Sequence, residues 1–147
     1  CGALATTVPS ALRVFRADNL ESAHFVRKAA DEILSSDVAD KRVWALNYHL
    51  VHMYLETAPL SRVLTHPANI DPHSSIYRPL AEAGYVPEDE IGRLIGLKPP
   101  FVIAKEMPPW YFSEEAARRV RDWIEEDYTV YRTEGDLVLY LHNEHAR

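Results

Sequence analysis

The chain has 147 residues, 47% of them hydrophobic and 26% charged, the balance of one folded domain rather than a disordered tail. Acidic side chains outnumber basic ones by 22 to 16, giving a net charge of -6, and no Lys/Arg stripe is dense enough for a nucleic-acid face. The single cysteine, Cys1, excludes an internal disulfide and a cysteine zinc cage, and no apolar run reaches the roughly 18 residues that cross a bilayer.

Residues 1–17 read as a lead-in to a single domain over 18–147. Gly2–Ser10 is small and Thr-rich with Pro9 near its end, and Leu12, Val14 and Phe15 fit a short strand or an extended arm. Cys1 followed by Gly2 fits a fragment boundary, or a lipid-acceptor cysteine exposed by signal cleavage. A helix is predicted from about Leu20 to Leu34, capped by Asp18 or Asn19. Phe25, Val26, Ala29, Ala30, Ile33 and Leu34 recur at helical spacing and form its apolar face.

The stretch from Arg42 to Pro67 reads as strand, short helix, strand. Val43–Leu46 and Arg62–Thr65 are the apolar runs, and His49–Leu55 is the amphipathic segment between them. Such a βαβ unit pairs its strands in parallel. Pro67, Pro72 and Pro79 argue for an irregular stretch over 67–78, anchored by Ile76, Tyr77, Leu80 and Tyr85. Glu88–Leu97 reads as a helix and Phe101–Ala104 as a strand apolar on both faces. A Pro-aromatic loop over 107–112 precedes a helix from Ser113 to about Glu126 that buries Ala117, Val120, Trp123 and Ile124. A hairpin over 128–141, turning at Glu134-Gly135-Asp136, closes the chain. The expected fold is therefore α/β. It is a small three-layer Rossmann-like mixed sheet with parallel strands 43–46, 62–65 and 101–104, the antiparallel hairpin, and helices on both faces.

In open α/β sheets ligands sit outside the carboxyl ends of the strands. Asn47 and Tyr48 follow the first strand, Thr65 and His66 end the second, and Lys105 and Glu106 follow the third. These give a place for a small polar ligand, a sugar or a phosphate, although no glycine-rich phosphate loop occurs. Arg62 suits a carboxylate or phosphate, or an ion pair that orders a loop. Trp110, Tyr111 and Phe112 suit a sugar ring or a membrane interface, or fold back on the core. His49, His52 and His66 are weak metal candidates, without a HExxH pattern, against the plainer reading of face and loop histidines. Glu88-Asp89-Glu90 and Glu125-Glu126 read as solvated charges, and Tyr54, Tyr77 and Tyr85 as packing. No nucleophile elbow occurs, and no catalytic residue or cofactor is expected.

Val43, Trp44, Leu46, Tyr54, Leu55, Pro59, Ser61, Arg62, His66 and Pro67 together form a strand, a Tyr-containing helix and a Pro-x-Ser-Arg strand ending in His-Pro. This pattern resembles the soluble C-terminal domain of bacterial membrane glycosyltransferases of the dolichyl-phosphate-mannose protein mannosyltransferase-like group, which have GT-C architecture. The likeness extends loosely to Phe101–Ala104 and to the Tyr-rich pair from Tyr128 to Tyr140. The resemblance implies a non-catalytic extracytoplasmic domain, tethered at the periplasmic face of an inner membrane by upstream spans of the same protein. Such a domain helps to position a polyprenyl-phosphate-linked sugar or a glycan acceptor, while the chemistry is done in the membrane part. The alternatives are a stand-alone sugar- or nucleotide-binding α/β module and a small hydrolase.

Overall fold

The computed structural model describes residues 8–63, 67–105 and 111–146, and the side chains of 22–63, 68–105 and 111–146. The chain begins with a helix, α1, Val8–Ser35. The expected arm over Leu12–Phe15 and the expected start near Leu20 are both replaced by it. Pro9 does not prevent this, because a helix's first turn has no intrahelical acceptor for its N–H groups. Val26, Ala29, Ala30 and Ile33 are buried as their i, i+3, i+4, i+7 spacing requires, whereas Leu34 lies half exposed, off the stripe.

Four strands form one open mixed sheet in the order β1-β2-β4-β3. β1 (Val43–Ala45) pairs in parallel with β2 (Phe101–Ala104), with Val43 opposite Phe101. β2 pairs antiparallel with β4 (Leu137–His142), which pairs antiparallel with β3 (Tyr128–Glu134). All four β2 residues are buried, as a run apolar on both faces demands of a central strand.

The expected parallel strand over 62–65 is not formed at Arg62 or Val63, and Leu64 and Thr65 lie outside the described residues. Val63 donates its amide to the Ser61 hydroxyl at 3.1 Å, a local turn that competes with strand pairing. The parallel partner of β1 is therefore reached through the whole of residues 46–100 instead of through one short helix. That connection carries α2 (Val51–Leu55), a 3₁₀ turn (Pro67–Ile70), α3 (Tyr77–Glu82) and α4 (Glu90–Gly96). Tyr77 does anchor the proline-rich stretch, being buried, but Ile76 and Tyr85 are exposed.

Alternation along the strands splits the core in two. Val43, Ala45, Phe101, Ile103, Leu139 and Leu141 pack with α1 and α2. Trp44, Val102, Ala104 and Tyr128 pack with α4 and with α5 (Glu114–Asp127). Ser113 caps α5 by accepting the Ala116 amide, and Asp71 accepts the Ser113 amide at 2.6 Å, which ties the proline-rich stretch to the helix. The hairpin turn has Gly135 at φ 59, packed so closely on α1 that a Cβ there would lie 2.4 Å from Phe25. Among the described residues, no helix is long and apolar enough to cross a membrane.

Candidate functional site

At the carboxyl ends of β1 and β2 the chain gathers polar side chains. Leaving β1, Asn47 turns its side-chain oxygen to the Lys105 amide at 2.9 Å and so fastens the two strand ends together. Tyr48 follows with φ 59, a left-handed conformation that costs a residue with a Cβ about 1–2 kcal/mol. The turn brings its phenol to Asp136, where it donates to a carboxylate oxygen at 2.5 Å. The second Asp136 oxygen pairs with the Lys105 ammonium at 2.8 Å. The tip of the β3–β4 hairpin is thereby drawn over the strand ends.

The protonation states follow from these contacts. Burial raises the Tyr48 pKa far above the ordinary phenol range, and the neighbouring Asp136 carboxylate adds to the shift. Burial alone would raise Asp136, but hydrogen bonds from Lys105 and Tyr48 outweigh it and hold the carboxyl below 3.8. At neutral pH the cluster is a protonated phenol, a carboxylate and an ammonium. A phenol held so far from its ordinary range is a poor proton donor or acceptor near pH 7. The group is suited to fixing geometry.

The other candidates separate. Tyr111 donates to the Leu46 carbonyl at 2.6 Å, and its ring meets Phe112 edge-on with centroids 4.9 Å apart. Phe112 is buried, so this end of the aromatic loop folds back onto the core. Trp110, Glu106 and His66 lie outside the described residues. His49 and His52 line one small cavity with Trp44, Pro59 and Ser61. His52 is buried, with Nδ1 3.4 Å from the Thr57 hydroxyl. Burial, and then the proximity of His49, lower its pKa below 6.5. No group of three or more His, Cys, Asp or Glu side chains converges among the described residues.

Arg62 does not join the strand-end cluster. It lines a separate cleft with Leu60, Tyr85, Pro87, Glu90 and Arg93. The acidic run 88–90, read as solvated, divides there. Asp89 caps α4 by accepting the Gly92 amide at 2.8 Å and pairs with Arg119 of α5 at 2.7 Å. Glu90 is buried and holds Arg93 through two hydrogen bonds of 2.7 Å. Tyr85, read as packing, is 69% exposed beside them, and Tyr54 is 40% exposed on α2. Sequence reasoning missed Glu90 because three consecutive acids carry no sign of which one faces inward. The one available signal was Arg93, three residues on and so on the same helix face.

No protein-family model, curated protein or solved structure matches this chain.

Proposed function

We propose that the chain is a binding and positioning domain with no reaction centre of its own. The observation that carries the proposal is the bonding at the strand ends. Of the side chains that would have to perform chemistry there, Tyr48 and the Lys105 ammonium are both held by Asp136, and Asn47 is held by the Lys105 amide. Engaging a substrate there would mean giving up bonds already made, at about 0.5–1.5 kcal/mol net for a typical hydrogen bond.

In the finer form of the proposal, this is a Rossmann-like, three-layer extracytoplasmic domain of a polytopic membrane glycosyltransferase. It helps to position a polyprenyl-phosphate sugar donor or a glycan acceptor beside the membrane-embedded catalyst. The strand-end pattern supports that form, and the partner is the upstream transmembrane part of the same protein. A stand-alone sugar- or nucleotide-binding module is the second reading, favoured by the open cleft at Arg62.

The test is to express the complete reading frame in a bacterium and fractionate the cells. The proposal expects a membrane-bound product from which protease added to spheroplasts releases this domain. A full-length product found wholly in the soluble fraction would overturn the membrane form and leave the stand-alone module.

A further inference from the structure

We infer that the cleft between the Leu60–Arg62 segment and α4 is a binding site for the phosphate monoester of a sugar-sized ligand. The inference deepens the binding role proposed above and rests on it, but it needs no membrane partner.

The cleft encloses about 350 Å³, within the range of small-ligand sites. Its charge is unusual for this chain. Arg62 and Arg93 contribute two positive charges and Glu90 one negative charge, so the lining carries a surplus of one positive on a protein whose net charge is -6. Arg62 has no hydrogen bond or ion pair among the described residues, so its five N–H donors remain available to a ligand. Arg93 is largely committed. Its Nε and Nη2 serve the Glu90 carboxylate, and Nη2 also serves the Leu60 carbonyl at 2.7 Å. Nη1 keeps its two donors. The free fork of Arg62 and the Nη1 group of Arg93 in one concavity match the tetrahedral oxygens of a phosphate, which Arg62 would grip through paired hydrogen bonds and Arg93 through Nη1.

The rest of the lining is built to hold that arrangement still. Glu90, at 1% exposure, fixes the Arg93 guanidinium from the buried side. The Glu90 amide donates to the Tyr77 hydroxyl at 2.7 Å, and that hydroxyl donates to the Pro87 carbonyl, so the rim and the helix start share one buried anchor. Gly84 turns the chain after α3 with φ 73, and Tyr85 follows with its ring in solvent at the edge of the cleft. An aromatic face beside a phosphate-sized cationic pocket suits a sugar ring, whose C–H face stacks on it.

The experiment is a titration of the ¹⁵N-labelled chain with glucose 1-phosphate, glucose and inorganic phosphate, followed through the backbone amides and the arginine Nε signals. Glucose 1-phosphate is expected to shift Arg62, Arg93 and Tyr85 with a Kd below about 1 mM. Arg62→Gln should weaken it about tenfold, which is about 1.4 kcal/mol. Arg62→Lys should recover only part of that loss, since an ammonium lacks the fork. Tyr85→Ala should weaken glucose 1-phosphate and leave inorganic phosphate unchanged. Both residues are exposed, so neither variant threatens folding. Absence of shifts at Arg62 and Tyr85 would overturn the inference and leave the membrane proposal standing. Equal affinity for inorganic phosphate together with no effect of Tyr85→Ala would also overturn it, leaving an adventitious ion only. A soluble full-length product in the fractionation would sink the membrane form without touching this site.

Discussion

Tyr77→Phe is the perturbation that most sharply probes how the cleft is held. The ring is 99% buried by area, at 1% exposure, so phenylalanine fills the same space and only the hydroxyl is lost. That hydroxyl accepts from the Glu90 amide at 2.7 Å and donates to the Pro87 carbonyl. The two losses are unequal. Pro87 is exposed and its carbonyl regains water, so that bond is worth at most about 0.5–1.5 kcal/mol. The Glu90 amide is buried and is left without an acceptor, at about 1–3 kcal/mol. A net loss of about 2 kcal/mol follows, which for a domain of this size lowers Tm by about 4–8 °C. Urea unfolding followed by tryptophan fluorescence measures it, with Tyr85→Phe as an exposed control expected within about 0.5 kcal/mol of the parent. A Tyr77→Phe loss under about 0.5 kcal/mol would show that the hydroxyl does not anchor α4.

Three further outcomes are expected. Gly135→Ala should destabilise the chain by more than about 1 kcal/mol, because the left-handed turn and the Phe25 ring both oppose a Cβ; Gly96→Ala, with open space around it, should stabilise by about 0.5–1 kcal/mol in the same unfolding assay. Stability should fall as pH drops below 6.5. His52 holds a lowered pKa in the folded state, so the unfolded chain takes up the proton first, and His52→Asn should flatten that part of the pH profile. Around and below pH 3.8 a second decline should follow, because Asp89, held low chiefly by its Arg119 hydrogen bond, and Asp136 take up protons first in the unfolded chain; it ends once the folded carboxyls are protonated too. In an alkaline absorbance titration, Tyr48 and Tyr128 should ionise only in a late phase that coincides with unfolding, so Tyr48→Phe leaves the early amplitude unchanged.

Periodicity served well wherever one face of an element meets the core. The α5 stripe of Ala117, Val120, Trp123 and Ile124 is buried, and Ser113 caps that helix. The hairpin turns at Gly135, where positive φ demands glycine, and β2 is the buried central strand. Two kinds of information were not local. The parallel partner of β1 lies more than fifty residues away, and nothing in the short apolar run after Ser61 says that its amide will go to a hydroxyl instead of a strand. The N-terminal helix was hidden by Pro9 and small residues, which oppose helix in an interior but not in a first turn.

The candidate site divided along the same line. Chain order places Asn47, Tyr48 and Lys105 at strand ends, and they do gather there. The bonding of Tyr48 and Lys105 through Asp136 depends on where the hairpin tip lands, which no spacing encodes. Arg62 was legible as an anion-seeking residue, but its neighbours Tyr85, Glu90 and Arg93 come from a helix and a turn that only tertiary packing brings alongside.

The central claim is that this chain holds a ligand without converting it. Phosphorus NMR of the purified domain with glucose 1-phosphate reads both halves at once. The account predicts a phosphorus signal that moves on addition of protein, returns with Arg62→Gln, and keeps its full integral over a day. Growth of an inorganic-phosphate signal that Tyr48→Phe or Arg62→Gln abolishes would contradict it.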